Sequence, residues 1–229
     1  MMKAFKIRAY FLQLPTLAAL LFAGAVSAAT PERVHVVLET ELGRVVLAID
    51  TEHAPRAANY FLGFIDRGDY DGTTLYRSAS LDGSPPPQLV QGGLLAGALN
   101  STQPVDPLAF GVGSLLPEWD TTAESGLRHL RGSISLARDL LDTGQVIPEI
   151  VFCLRDIPRM DAGSNGRPDA LGFPVIGEVL SGMDVIDAVS RAPLEGATSI
   201  SFLEGQILSN PITITHAYRR QTQPAKATD

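Results

Sequence analysis

The chain has 229 residues, a formal net charge of −7, 45% apolar residues and 19% charged residues. That length suits one large domain or two small ones, and the apolar share excludes disorder as the main state. The acidic balance argues against general nucleic-acid binding, and a single Cys with four scattered His excludes an internal disulfide, a thiolate metal cage and a helix-borne zinc pair.

Residues 1–28 read as a secretory signal peptide. Lys3, Lys6 and Arg8 give a positive start, Leu17 to Val26 is apolar, and Val26-Ser27-Ala28 ends in small residues. The apolar stretch, about ten residues long, is short for a hydrocarbon layer of ~30 Å. Cleavage is placed after Ala28, with Ala29 the adjacent alternative and an uncleaved anchor the competing reading. Cleavage lowers the formal charge from −7 to about −10. In a Gram-negative source the destination is the periplasm, which is oxidising. Cys153, inside an apolar run, then reads as a buried strand residue.

Residues 29–220 form the working domain. Val34–Leu38 and Val45–Ile49 are β-branched runs flanking a turn with Gly43, a hairpin pattern. Ala57, Tyr60, Phe61, Phe64 and Ile65 make a helical stripe, with Pro55 at its start and Gly68 past its end. Thr73–Arg77 reads as a strand, Ser78–Pro87 as a loop, and Leu89–Gln91 as a strand meeting a Gly-Gly turn. Residues 94–128 lack periodicity and read as a long ordered surface excursion. Ser133–Ala137, Ile150–Leu154, Phe173–Leu180 and Ile212–Tyr218 read as strands, Pro158–Leu171 as a loop and Met183–Arg191 as a helix. Residues 221–229 are a polar tail. Many strands with two helices indicate an antiparallel barrel or sandwich.

Six short motifs follow one another along the chain. The first three are Leu38-Glu39-Thr40-Glu41-Leu42-Gly43, Ala54-Pro55 through Tyr60-Phe61, and Gly68-Asp69-Tyr70-Asp71-Gly72 with Leu75-Tyr76-Arg77. Gln91-Gly92-Gly93, Gly132-Ser133-Ile134-Ser135-Leu136-Ala137-Arg138 and Gly177-Glu178-Val179 with Gly182-Met183-Asp184-Val185-Ile186 complete the set. In this order they resemble a bacterial cyclophilin-type peptidyl-prolyl cis–trans isomerase. The resemblance implies a mainly β fold, a closed eight-stranded antiparallel barrel capped by two helices. It also implies a monomer acting on proline-containing polypeptides, without cofactor, metal, nucleic acid or, after signal cleavage, membrane.

Rotation about an X–Pro bond faces a barrier of ~18–20 kcal/mol because the amide is conjugated. When the amide twists, the proline nitrogen regains a lone pair. A guanidinium aimed there stabilises the twisted state above either planar one, which is differential binding. The resemblance assigns Arg77 to that role and Gln91 to orienting it and holding the substrate carbonyl. It assigns Gln88, Leu89, Ala137, Arg138, Glu149, Val151 and Phe173 to the substrate groove. Gln88 and Val151 stand where the family usually has phenylalanines, Leu89 replaces a methionine, Glu149 a glutamine and Phe173 a histidine. Losing ~40–60 Å² of aromatic contact weakens proline binding by ~1–1.5 kcal/mol, about tenfold. Trp119 does not replace the tryptophan found in some members.

His129 is expected to be structural, and His35, His53 and His216 to sit on the surface or at strand edges. Asp139, Asp142 and Asp161 are expected to be solvated loop acids. Two alternatives to an active isomerase stay open: a weak or inactive cyclophilin-fold chaperone or peptide-binding module, and an unrelated secreted β-barrel carrier.

Overall fold

The computed structural model describes residues 33–83, 85–95, 116–139 and 144–220. The signal-peptide reading, Asp142, most of the 94–128 excursion and the 221–229 tail lie outside the described residues. Eight strands run in chain order: β1 Val34–Thr40, β2 Gly43–Ile49, β3 Thr74–Ala79, β4 Leu89–Gly93, β5 Ser133–Arg138, β6 Val146–Cys153, β7 Val175–Ser181 and β8 Ile207–Arg219. They close into a barrel in the order β1-β2-β7-β5-β6-β4-β3-β8. All neighbouring pairs are antiparallel. The mainly β, eight-stranded closed barrel is the fold expected. Its helices are α1 Pro55–Arg67, a four-residue α2 Thr122–Ser125 and α3 Met183–Ser190.

Alternation along the strands divides the apolar residues into two clusters. One joins Val36, Leu38, Leu47, Leu75, Val90, Ile134, Leu136, Ile150 and Phe152 to Phe61, Leu62 and Ile65 of α1 and Ile186 and Val189 of α3. The second joins Tyr76, Leu89, Leu95, Ala137, Ile147, Val151, Cys153, Met160, Leu203 and Ile207. It occupies the opposite face of β3, β4, β5 and β6, beneath the loops. Cys153 is buried within it, and burial pushes its thiol up to about 12.

Helix α1 starts on Pro55 and ends at Gly68, whose φ of 73° needs no Cβ. Its N-terminal amides find no local side-chain cap. Asp120 supplies one instead, accepting from the Arg56 N–H at 2.7 Å and the Ala57 N–H at 3.2 Å. The end of the 94–128 excursion is therefore part of the packed structure, with Trp119, Asp120, Thr122 and Ser125 buried.

Two strands are longer than expected. β6 begins at Val146 and β8 at Ile207. Each contains a proline, Pro148 or Pro211, that reads as a strand limit because it cannot donate to a ladder. Both lie where the pairing register shifts: Pro148 opposite the shift between Leu136 and Arg138, Pro211 opposite that between Leu75 and Arg77.

Two acids depart from expectation. Asp139 and Asp161 are buried rather than solvated. Asp161 accepts from His129 Nδ1 at 2.7 Å and from the His129 N–H at 3.2 Å. Burial opposes its charge, but the His129 hydrogen bonds prevail and hold its pKa below the ordinary value. His129 Nε2 faces Ser135 Oγ at 3.0 Å, so both ring nitrogens are engaged, as suits a structural histidine. Arg167 approaches the Asp139 carboxylate at 3.8 Å. His53 and His216 are half-exposed and face Asp50 and Asp71.

Candidate active site

Strand pairing builds the site. Arg77 of β3 lies opposite Gln91 of β4, and Gln91 lies opposite Val151 of β6. Directly opposed side chains stand ~4.5–5.5 Å apart at Cβ, so these three form one row. A bulge precedes the row: Leu75 pairs with Gly92 and Arg77 with Gln91, leaving Tyr76 as the extra residue. The bulge turns Tyr76 and Arg77 to the same side of the sheet, which regular alternation forbids.

Arg77 is clamped at both ends. Its Nη1 donates to Gln91 Oε1 at 2.7 Å. Its Nε and Nη2 both donate to Gln206 Oε1, at 3.0 and 2.6 Å. Gln206 is itself fixed, its Nε2 donating to the Phe202 carbonyl at 2.6 Å. Three of the five guanidinium N–H groups are thus used, and among the described residues two remain for another acceptor. Burial draws the Arg77 pKa below its ordinary value, against the raising effects of Tyr76 and Glu149.

The clamp rests on a buried polar chain. Gln91 Nε2 donates to Tyr76 Oη at 2.8 Å, and Tyr76 Oη donates to Glu149 Oε2 at 2.6 Å. Glu149 Oε1 accepts from the Leu95 N–H at 2.7 Å. Glu149 and Tyr76 are both 0% exposed. The neighbouring Gly93 is obligatory: its φ is 147°, and a Cβ there would lie 2.6 Å from the Pro148 carbonyl oxygen and 2.8 Å from Glu149 Oε1.

Arg77 and Gln91 open onto a cavity of about 350 Å³. Leu89, Ala137, Arg138, Val151 and Phe173 line it, so the structure brings these sequence candidates together. Two others stand apart from the lining. Gln88 turns to the neighbouring loop, accepting from the Leu81 N–H at 2.8 Å and donating to Asp82 at 3.3 Å. Glu149 is fully buried and hydrogen-bonded to Tyr76 Oη and the Leu95 N–H, and neither it nor Gln88 lines the cavity. Both corrections have one cause: each side chain satisfies its hydrogen bonds within the protein.

Arg138 lines the cavity with four of its five guanidinium N–H groups engaged. It is paired with Asp169, donates to Gly172 O at 3.0 Å and Gly144 O at 3.1 Å, and lies 4.5 Å over the Trp119 ring. Trp119 therefore supports the cavity wall from behind instead of lining it.

Several lining residues escaped the sequence reading: Leu81, Leu95, Ile147, Met160, Arg167, Phe202 and Leu203. Phe202 is 51% exposed and offers an aromatic face at the rim. Gln206 was missed as well. Its only local signal was a polar residue in the Phe202-to-Gln206 turn, and it lies 129 positions from Arg77. Among the described residues no cluster of His, Cys, Asp and Glu could hold a metal, and no helix is long and apolar enough to cross a membrane.

Comparison with known proteins follows the same line. The family model described as cyclophilin type peptidyl-prolyl cis-trans isomerase/CLD matches residues 35–218. Peptidyl-prolyl cis-trans isomerase A of Dickeya dadantii is 28% identical over 183 residues, covering 80% of this chain and 83% of that protein. Peptidyl-prolyl cis-trans isomerase cyp18 of Streptomyces antibioticus is 27% identical over 152 residues, covering 66% of this chain and 80% of that protein. The crystal structure of a Cryptosporidium parvum cyclophilin-type isomerase superposes with a TM-score of 0.58 at 14% identity, covering 83% of this chain and 99% of that one. A second crystal structure of that protein, determined in the presence of the dipeptide Ala-Pro, gives a TM-score of 0.57 at 14% identity over 82% of this chain and 99% of that one. With the match running through nearly every strand and through Arg77 and Gln91, the chain belongs to the cyclophilin-type peptidyl-prolyl cis–trans isomerase family.

Proposed function

We propose that the protein isomerises X–Pro bonds of exported polypeptides, with Arg77 stabilising the twisted amide. The observation that carries this reading is the Arg77 clamp. A guanidinium held by two neutral amide oxygens, Gln91 and Gln206, has no direct carboxylate partner among the described residues to compensate its charge. Arg77 lines a mainly apolar cavity where a proline ring can be desolvated. In the planar amide the prolyl nitrogen lone pair is delocalised and accepts poorly. In the twisted amide that pair localises and accepts from the guanidinium. The interaction strengthens only on the way to the transition state, and no covalent step is required. Preorganisation matters, because a free arginine would lose rotamer entropy on binding. The exported destination rests on the signal-like residues 1–28, and in a Gram-negative source it means the periplasm.

A second reading, a peptide-docking module with weak or no turnover, is favoured by Val151, which lines the cavity where the family keeps a phenylalanine. One experiment separates them. Exchange of a short X–Pro peptide is measured by NMR with residues 29–229 and with the Arg77→Ala variant. The isomerase reading expects acceleration by the parent and a loss of roughly 100-fold in the variant. Peptide-induced shifts without acceleration would favour the docking module.

A further inference from the structure

We propose that ionised Glu149 is a positioning residue that fixes the amide orientation of Gln91, and so makes presentation of the Arg77 guanidinium depend on pH. The proposal rests on the isomerase reading. It follows from the direction of each hydrogen bond in the buried chain behind the site.

An ionised carboxylate only accepts. Glu149 Oε1 accepts from the Leu95 N–H at 2.7 Å, a backbone donor that cannot reverse. Glu149 Oε2 accepts from Tyr76 Oη–H at 2.6 Å. With its proton committed, Tyr76 Oη must accept from Gln91 Nε2, 2.8 Å away. Gln91 Nε2 also lies 3.3 Å from Glu149 Oε2, a second acceptor for the same amide group. The Gln91 NH2 therefore points inward and its oxygen outward, to Arg77 Nη1 at 2.7 Å.

Protonation reverses this order. The proton is taken at Oε2, whose Tyr76 hydroxyl partner can reverse, whereas the Leu95 N–H goes on donating to Oε1. The Oε2–H then donates to Tyr76 Oη. The displaced Tyr76 proton needs a new acceptor, and the neighbouring one is Gln91 Oε1 after an amide flip. The flip turns the Gln91 NH2 toward the guanidinium, donor against donor. Arg77 keeps Gln206 and loses its second anchor.

The surroundings place the switch near neutrality. Burial dominates and pushes the Glu149 pKa up to about 7, against the lowering effects of Tyr76, Leu95, Gln91 and the Arg77 charge. The titratable and charged groups facing it among the described residues are Tyr76 and Arg77 of β3, Tyr60 of α1 and Tyr70 of the following turn. The three phenols are held neutral, mainly by burial. Among the described residues of β4 and the two after it, the groups facing Glu149 are the neutral Gln91 amide and the Leu95 N–H. Arg77 is thus the single fixed charge opposite Glu149 among them. As pH rises through about 7 the carboxyl ionises and the clamp closes.

The test has two readouts on the 29–229 protein and its Glu149→Gln variant, from about pH 5.5 to 8.5. In the first, kcat and KM are measured separately. The parent's kcat is expected to rise roughly tenfold with pH, near-constant in KM, as one charge-assisted hydrogen bond is restored. The variant, which cannot ionise, is expected to be flat. In the second, the Gln91 side-chain amide and the Arg77 Nε–H are followed by NMR. Both resonances should titrate with one midpoint in the parent and stay still in the variant. Should Glu149→Gln fail to fold, Tyr76→Phe serves: it removes the relaying hydroxyl and should uncouple the two resonances from the carboxyl. A pH profile that survives in the variant, or Gln91 and Arg77 signals that ignore the Glu149 titration, would overturn the proposal. Coupled resonances in a protein without turnover at any pH would support the positioning role and count against the isomerase reading alone.

Discussion

Two arginines line the same cavity and are held in opposite ways. Arg77 is anchored by the side-chain oxygens of Gln91 and Gln206, both neutral. Arg138 is anchored by the Asp169 carboxylate, by the Gly144 and Gly172 carbonyls, and by the Trp119 ring. The Arg138 hydrogen bonds hold the Asp169 carboxyl at a pKa of about 2, so the pair is charged and mutually cancelling at any ordinary pH. Arg77 is equally well fixed, yet among the described residues no contacting carboxylate cancels its charge. Orientation without neutralisation is what the proposed stabilisation of a twisted amide needs, and neutralisation by a paired carboxylate is what a wall needs.

That contrast can be broken or sharpened by substitution. The largest effect is expected at Arg77. Arg77→Ala should lower kcat/KM by roughly 100-fold while Tm changes little, because water can reach the two released amide oxygens. Arg138→Ala should behave the other way. It strips a fully buried side chain of its ring contact and leaves Asp169 without its partner. A loss of roughly 2–3 kcal/mol in chemical denaturation is expected, moderated because Asp169 is partly exposed. Equal activity losses in the two variants, at equal stability, would erase the distinction.

Smaller effects probe the supports. Gln206→Ala should lower kcat roughly tenfold with KM nearly unchanged, since it frees Arg77 without touching the apolar wall. A change confined to KM would instead place Gln206 among substrate contacts. Val151→Phe adds aromatic area to the wall shared by both arginines. A proline peptide should bind roughly threefold more tightly to it, as read by NMR titration. Weaker binding would mean that Val151 is matched to its neighbours and that the larger ring overpacks them.

Much of the fold was legible in local pattern. The α1 stripe from Ala57 to Ile65 and the β1–β2 hairpin are decided by short-range periodicity, and they lie where that periodicity places them. Strand limits were less legible at Pro148 and Pro211, where a register shift accommodates a residue that a regular ladder rejects. The site divided in the same way. Arg77, Gln91 and Ala137 lie in matching motifs, whereas Leu89, Val151 and Phe173 depart from the family residue and are reached by alignment alone; all six meet at one cavity. Gln88 and Glu149 are reached by alignment too, but their own hydrogen bonds hold them away from it. Asp139 and Asp161 look like loop acids in sequence and become buried because Arg167 and His129 reach them from other segments.

By itself the sequence determined the β-rich barrel class and the arginine–glutamine pair, because alternation, turn residues and short motifs act over a few positions. Tertiary structure alone decided how that pair is anchored and aimed. Gln206 comes from 129 positions away in the chain, and the bulge at Tyr76 and the burial of Glu149 depend on which strands became neighbours. Hydrogen-bond direction and the cost of a buried charge are properties of the closed barrel, set only when distant segments exclude water together.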